Sequence, residues 1–234
     1  MNTEMELLVT NVELIEGLFV KELKNRFLCQ VIINGVIEEC YVPSSMKLAK
    51  YIKLKNKKVF LTLNKNPNSR TKYSIFAVLY YNKPILVNLN YANKLVEEML
   101  LKQKHLFETN DSIYREKTID GYKADFVISG TCTHIFEVKS VLGCRRNVIF
   151  PNVYSTRAIG QLKKILELID KGHIVYYYIV SLSSVVKEIK INNNLKEFYS
   201  LFLQCIEKGM KVNGFSMKYK NGELYINNKI SLIL

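Results

Sequence analysis

The sequence predicts an α/β (α+β) fold, with a small all-β module first and a mixed sheet flanked by helices after it. Short apolar runs separated by turn residues, without a convincing long helix, fill the chain up to about residue 86. Beyond residue 90 the pattern changes to the order helix, three strands, helix, strand. A chain of 234 residues with 48% hydrophobic content can bury a core in each part. We therefore divide it into residues 1–86 and 87–234.

The first module is predicted from its turns. Residues 18–42 form a strand, a turn at Asn34-Gly35 and a second strand, because Asn-Gly between apolar runs is the strongest short hairpin signal. Residues 57–64 and 72–81 supply further strands, and residues 65–69 are the loop between them. Several short strands of this kind predict a small barrel.

The second part opens with a helix over Tyr91–His105, which Asn88-Leu89-Asn90 can cap. Apolar and β-branched runs separated by turn residues then predict three strands in a meander: Ser112–Ile119, Tyr122–Ser129 and Cys132–Lys139.

The rest of this domain has one long amphipathic helix and one buried strand. The helix covers Ser155–Lys171 and ends at Gly172. The almost wholly apolar run His173–Leu182 is typical of a buried central strand. A helix near residues 195–208 and a hairpin at Asn221-Gly222 complete the chain, and we place the hairpin at the edge of the domain.

The charge indicates a polyanionic partner. The net charge is +13, and Lys and Arg that neutralise phosphates gain free energy by releasing counterions. The chain is also rich in Lys, Asn and Ile, so part of this excess reflects general composition. Between Cys40 and Val96, however, every charged residue is a Lys or an Arg.

The cysteines and the apolar runs indicate a cytoplasmic protein. The five cysteines are scattered and never form a C-x-x-C pair, which argues against a zinc site or a disulfide framework. Apolar runs stay shorter than the roughly 18 residues of a membrane span. The first six residues are acidic rather than basic, unlike a secretion signal.

Asp125, Glu137 and Lys139 are the polar interruptions of the predicted strands. Glu137 and Lys139 share one strand face, because strand side chains alternate with period two. Paired carboxylates suit a hard divalent cation, and a nearby lysine can stabilise charge that develops on a phosphate. On the motif alone, a solvated strand face with an ordinary Glu/Lys pair is the simpler interpretation.

The number of residues in the loop between the two strands decides whether Asp125 and Glu137 share a face, because strand side chains alternate. A two-residue loop at Gly130-Thr131 would pair Asp125 with Phe136 and turn it away from Glu137. A three-residue loop, Gly130-Thr131-Cys132, places Asp125 directly opposite Glu137, where Cβ atoms lie about 4.5–5.5 Å apart.

The spacing Asp125…Glu137-Val138-Lys139 resembles the active-site signature of the PD-(D/E)XK nucleases. Further segments, in the same order, resemble the sugar fermentation stimulation protein A family, whose members are described as DNA-binding and nuclease-like. These segments are Asn25–Leu28, Ser69–Tyr73, Asn90–Glu98, Glu137–Val141, Phe150–Val153 and Arg157. The resemblance covers nearly the whole chain and implies an OB-like N-terminal barrel followed by a PD-(D/E)XK restriction-endonuclease-like domain.

The resemblance also implies roles. Asp125, Glu137 and the Val138 carbonyl would hold Mg²⁺ or Mn²⁺, and Lys139 would assist the attacking water. The remaining catalytic candidates are Glu98 as a supporting acid, Arg157 as a phosphate ligand and Gln161, which replaces the family's usual His. The nucleic-acid-binding candidates are Arg26, Phe27, Lys47, Lys53, Lys55, Arg70 and Lys72. The alternatives are a water-facing position for Glu98, a solvated helix face for Arg157 and Gln161, and a core position for Phe27.

The chain departs from the family pattern in two places. Residues 41–47 replace the usual His-x-Pro-Asn-Thr-Gly-Arg, and Met46 stands where glycine would allow close approach of the backbone to a ligand. Asn152 replaces the usual Asp after Phe-Pro.

Three functions follow. The first is a metal-dependent nuclease that acts on DNA or RNA, with DNA the favoured partner. The second is a DNA-binding regulator of sugar-catabolism genes on a nuclease-derived fold. The third is a basic protein of ribosome or RNA in which the carboxylates are incidental. A membrane partner is not expected, and the sequence leaves monomer and dimer open.

Overall fold

A computed structural model of the chain describes residues 7–25, 27–43, 53–102 and 112–234. Within these residues the backbone forms a six-stranded sheet, a nine-stranded sheet, a two-stranded hairpin and three α-helices. No helix in these ranges is long and apolar enough to cross a membrane.

The six-stranded sheet closes into a barrel. Its strands are β2 (Ile15–Glu22), β3 (Leu28–Ile33), β4 (Val36–Tyr41), β5 (Lys58–Leu63), β6 (Tyr73–Tyr80) and β7 (Lys83–Leu86). The order is β4-β3-β2-β5-β6-β7, and a parallel pairing between Cys40 and Tyr73 joins β4 to β6. This pairing removes the free edges of a five-stranded barrel, which confirms the predicted OB-like module.

Two local features shape the barrel. Asn34 and Gly35 both have positive φ, at 50° and 82°, as the predicted tight hairpin turn requires. Gly17 lies where β2 crosses β3 closely, since a Cβ there would fall 2.5 Å from Val31 Cγ1.

The nine-stranded sheet carries the second part of the chain. Its order is β13-β15-β17-β16-β14-β12-β11-β8, and β1 pairs with β17. The strands are β1 (Leu7–Asn11), β8 (Ser112–Arg115), β11 (Phe126–Ser129), β12 (Thr133–Val141), β13 (Asn147–Phe150), β14 (Ile174–Ser181), β15 (Glu188–Ile191), β16 (Lys211–Lys220) and β17 (Glu223–Ile233). β9 (Thr118–Ile119) and β10 (Tyr122–Lys123) form the separate hairpin.

Helices cover both faces of this sheet. α1 (Asn90–Lys102) packs with Phe136 and Val138 on one face, while α2 (Thr156–Asp170) and α3 (Lys196–Glu207) pack with Ile135 on the other. The Ser155 hydroxyl caps α2 by accepting a 3.2 Å hydrogen bond from the Ala158 N–H. The face that bears Glu137 is therefore packed as well, and is not the solvated strand face that was the simpler interpretation of the motif alone.

Three placements differ from the sequence predictions. β1 pairs antiparallel with β17 and so joins the larger sheet, although it lies within residues 1–86. The hairpin at Asn221-Gly222 is interior, because β16 lies between β14 and β17. β13 and β15, which extend the sheet beyond β17, were not predicted. The physical reason is common to all three, since pairing with distant strands leaves no local sequence pattern.

The barrel and the sheet share a core. Val12, Phe76 and Leu86 pack in one cluster with Leu224 and Ile226 of the large sheet. A backbone hydrogen bond of 3.0 Å from the Leu86 N–H to the Leu182 carbonyl also joins the two parts.

Candidate active site

The hairpin between β11 and β12 brings the two predicted carboxylates together. Phe126 pairs with Phe136 and Ser129 with Thr133, so the loop contains three residues, Gly130-Thr131-Cys132. Asp125, one residue before β11, therefore lies opposite Glu137, and its Oδ2 accepts a 2.7 Å hydrogen bond from the Val138 N–H. The parity prediction for a three-residue loop is confirmed.

Glu137 is buried, with 3% of its surface exposed, and each of its oxygens accepts a hydrogen bond. Oε1 accepts from Lys139 Nζ and, at 3.1 Å, from Gln161 Nε2. Oε2 accepts from the Tyr122 hydroxyl. Burial raises the pKa of Glu137 above its ordinary value, and the adjacent Lys139 ammonium offsets only part of that rise.

Lys139 and Gln161 form a linked pair above this carboxylate. Lys139 lies two residues beyond Glu137 on the same face of β12, and its Nζ also donates to Gln161 Oε1 at 2.9 Å. Two of the three ammonium protons are thus directed to Glu137 and Gln161. The amide orients the lysine, since it donates to the same carboxylate oxygen that the lysine contacts.

Two further residues complete the polar network. Asn93 on α1 donates from Nδ2 to Asp125 Oδ1 at 3.2 Å. The buried Tyr122 holds Glu137 from the other side, and its own pKa is raised chiefly by burial. Sequence reasoning assigned neither residue a role. Asn93 falls inside the segment that resembles the family, which was the only available signal.

The two candidate carboxylates lie in a cleft of about 550 Å³. Asp125, Glu137, Val138, Lys139 and Gln161 contribute to its wall. Arg157, in the first turn of α2, is exposed and lies at the cleft and at the adjoining one of about 820 Å³, which also contains Asp125.

The two adjacent glutamates of α1 differ in their position relative to the clefts. Glu98 is not among the described residues that line these clefts, whereas its neighbour Glu97 lines the 820 Å³ cleft. Glu97 is hydrogen-bonded and ion-paired with Arg115. Helix geometry explains the difference, because Glu97 is one turn from Asn93 and shares its face, while Glu98 is rotated away.

The barrel candidates are spread over its surface. Lys53, Lys55 and Lys72 are exposed, and the Lys72 ammonium lies 5.3 Å from the centre of the Tyr73 ring. Arg70 is exposed and 3.3 Å from the Glu39 carboxylate. The half-buried Phe27 stacks on Tyr41 at a centroid distance of 6.4 Å. Arg26, Lys47 and the part of the altered loop from Ser44 onward lie outside the described residues.

The donor set suits a hard divalent cation with few protein ligands. The part of the chain that the structure describes holds no group of three or more His, Cys, Asp or Glu side chains placed to bind a metal. A cation here would be held by Asp125, Glu137 and the Val138 carbonyl, which are all oxygen donors. Such sites commonly combine one or two carboxylates with waters and substrate phosphates.

Comparison with known proteins identifies the family. The model of the "Sugar fermentation stimulation protein RE domain" matches residues 90–223, which is more than half of the chain. The chain belongs to the sugar fermentation stimulation protein family. The predicted family resemblance is therefore confirmed, and the matched region contains every candidate catalytic residue.

Relatives match along almost the full length. A sugar fermentation stimulation protein homolog of Pelagibacter ubique is 28% identical over 227 residues, which cover 94% of this chain and 97% of the relative. A homolog of Clostridium beijerinckii is 26% identical over 213 residues, which cover 90% and 93% respectively.

A solved structure of Pyrococcus furiosus SfsA shares the fold. It superposes with a TM-score of 0.83 over 97% of this chain and 100% of that chain, at 17% identity. The solved structure is described as a complex with Ca²⁺. The match supports the two-part architecture, with a barrel preceding a larger mixed sheet with helices.

Proposed function

We propose that the protein is a divalent-metal-dependent nuclease that hydrolyses phosphodiester bonds in DNA or RNA. One observation carries the proposal: Asp125 lies opposite Glu137 across β11 and β12, and Lys139 projects into the same cleft. This arrangement joins two acidic oxygen donors and one cation at a single strand pair. The family's nuclease-like fold and the Ca²⁺ complex of the Pyrococcus furiosus protein support it.

The protein residues have separate tasks in this proposal. Asp125, Glu137 and the Val138 carbonyl would hold Mg²⁺ or Mn²⁺, and a bound cation of this kind would supply a more acidic water and polarise a phosphate. Lys139, with its remaining proton, stabilises the negative charge that builds on the phosphate. Arg157, exposed at the rim, offers a planar set of donors to a neighbouring phosphate.

The electrostatics of Glu137 agree with a cation ligand. Burial makes the ionised form of Glu137 unfavourable and raises its pKa. The Lys139 ammonium lowers the pKa, but by less than burial raises it. A divalent cation between Glu137 and Asp125 would also remove the repulsion between them, which contributes to the same rise. A divalent cation at this position would therefore stabilise the ionised form of Glu137.

The barrel would guide the nucleic acid. Most of its exposed lysines lie in the segment without acidic residues, and such charges attract phosphates from any sequence. We propose DNA as the main partner, with little sequence preference.

One observation favours a second candidate, a DNA-binding regulator without turnover. Lys139 already forms an ion pair with the buried Glu137, so the network is hydrogen-bonded without a metal. In that version the carboxylates serve only to shape the sheet, and the barrel and Arg157 bind DNA to control expression of sugar-catabolism genes.

One assay separates the candidates. Purified protein is incubated with labelled single-stranded DNA, duplex DNA and RNA in Mg²⁺, Mn²⁺ or EDTA, and cleavage and binding are both measured. Cleavage that requires metal supports the nuclease. Tight DNA binding without cleavage in any metal supports the regulator, and binding restricted to RNA without cleavage would reject both.

A further inference from the structure

A second cleft adjoins the candidate active site. It measures about 540 Å³ and lies along β13 and the segment that follows β12. It shares Ser140, Phe150 and Pro151 with the 550 Å³ cleft that contains Glu137. Ser140 directly follows Lys139 in the chain, so a group in the second cleft is one residue away from the proposed catalytic lysine.

The 540 Å³ and 820 Å³ clefts both adjoin the 550 Å³ cleft, but their walls carry different kinds of side chain. The 540 Å³ cleft is lined by Leu142, Val148 and Ile149, with the exposed Arg145 and Asn147 as polar groups. The 820 Å³ cleft on the other side of Asp125 is lined instead by charged side chains that include Lys94, Glu97 and Arg115. The first therefore suits a flat apolar group with polar edges, and the second a charged one.

We infer that the 540 Å³ cleft binds one nucleobase next to the scissile phosphate, and that the substrate is consequently single-stranded. This inference rests on the proposed nuclease function. A base in this cleft must leave its stack and its partner, which costs free energy in a duplex and little in a single strand. Arg145 provides the cationic contact that single-strand sites use, and the half-buried Phe150, whose ring packs with Tyr177 and Phe198, forms the boundary between the 540 Å³ and 550 Å³ clefts.

Ile149 is suited to testing the base site because it lines the 540 Å³ cleft and is 53% exposed, so a substitution there is not expected to disturb the core. Its cross-strand neighbour on β15 is Lys190, and Lys190 in turn lies beside Ile233 of β17. Ile233 is 41% exposed and does not line the cleft, so Ile233→Asp is a matched control for Ile149→Asp. Both substitutions place a carboxylate on an exposed strand position and are expected to fold.

The substrates are short single-stranded DNA oligonucleotides, intact or with one abasic site at a varied position. With the unmodified protein and with Ile233→Asp, an abasic site beside the cut bond should slow cleavage there about tenfold. Ile149→Asp should cut the intact strand about tenfold more slowly and should lose the effect of the abasic site. Fully paired duplex should be cut more slowly than the single strand.

Several results would overturn the inference. These are an abasic site without effect on the unmodified protein, an unchanged abasic effect in Ile149→Asp, or equal rates on duplex and single strand. If no oligonucleotide is cut, the same comparison is made by binding affinity in EDTA. The proposed nuclease function then fails, while a tenfold preference for the intact strand that Ile149→Asp removes still supports the base site.

Discussion

The barrel and the large sheet both carry charged residues that the sequence predicts to meet nucleic acid, but they hold them in opposite ways. In the barrel, Arg70 keeps 72% of its side chain exposed even though Glu39 is 3.3 Å away. In the sheet, Lys139 is 23% exposed, and it contacts a glutamate that is 3% exposed. The barrel charges are therefore screened by salt and interchangeable, while those of the sheet are fixed in position.

This contrast has a functional consequence. Exposed charges attract a polyanion over a distance and hardly depend on the geometry of any one residue. Buried charges must be hydrogen-bonded, and once they are, they form a preorganised environment for developing charge. We expect substitutions in the barrel to change affinity in small steps and substitutions in the sheet to remove activity.

The largest effect is expected for the carboxylates. Asp125→Ala or Glu137→Ala should reduce metal-dependent cleavage by about 10³-fold or more, because residues that act as one unit cannot replace each other. Nucleic-acid binding should persist in both variants, as measured by fluorescence anisotropy. Glu207→Ala, an exposed acid on α3, is the control and should cleave normally. Cleavage by either site variant at the unmodified rate would assign the activity to another site or to a contaminant.

Lys139→Met should lower the cleavage rate by about 10²–10³-fold, the usual cost of removing one group that stabilises transition-state charge. Metal binding, measured by calorimetry, should survive. Lys163→Met on the surface of α2 is the matched control, since its ammonium forms an exposed ion pair with Glu197. A Lys139→Met variant with full activity would reject the assigned role.

Lys139→Met should also shift the pH dependence of the cleavage rate. Lys139 is the cation that lowers the pKa of Glu137, so its removal raises that pKa further. Activity requires the ionised carboxylate and falls as the pH drops through this pKa. The acid limb of the rate profile should therefore move to higher pH in Lys139→Met and remain in place in Lys163→Met.

Asn93→Ala tests whether the sheet site depends on α1. Loss of the hydrogen bond to Asp125 should raise the Mg²⁺ concentration needed for half-maximal cleavage by about 10–100-fold, as for other residues that orient a metal ligand. The rate at saturating metal should recover in large part, which separates positioning from misfolding. Asn213→Ala, a half-buried amide on β16 outside the cleft, should change neither quantity.

The smallest effect is expected in the barrel. Charge reversal of the exposed Lys53, Lys55 and Lys57 should weaken nucleic-acid binding about tenfold. The slope of log affinity against log salt concentration should become less steep by about 0.9 for each phosphate that the protein no longer neutralises. Reversal of Lys171, Lys208 and Lys220, three exposed lysines of the larger domain, changes the net charge equally. Equal losses of affinity in the two triple variants would show that only total charge matters, and the contrast between regions would not hold.

Much of the site was predictable because its elements are local. The sequence placed both carboxylates on one face for a three-residue loop and on opposite faces for a two-residue loop, and the structure shows the three-residue loop. Helix α2 followed from its periodicity and from Ser155 and Gly172 at its ends. On α1, Glu97 lines a cleft and the predicted Glu98 does not, and in the sequence a pair such as Glu97-Glu98 gives no indication of which member faces the cleft.

The sequence by itself predicted most of the elements, the family and the candidate metal-binding motif, because periodicity, turn residues and short motifs depend on neighbours in the chain. Only the tertiary structure decided that Tyr122 and Gln161 close around Glu137, that Asn93 reaches Asp125 from α1, and that β1 joins β17. These contacts connect distant segments, and whether a polar group is buried depends on everything packed around it. Burial in turn raises the pKa of Glu137, so this property of the carboxylate exists only in the folded chain.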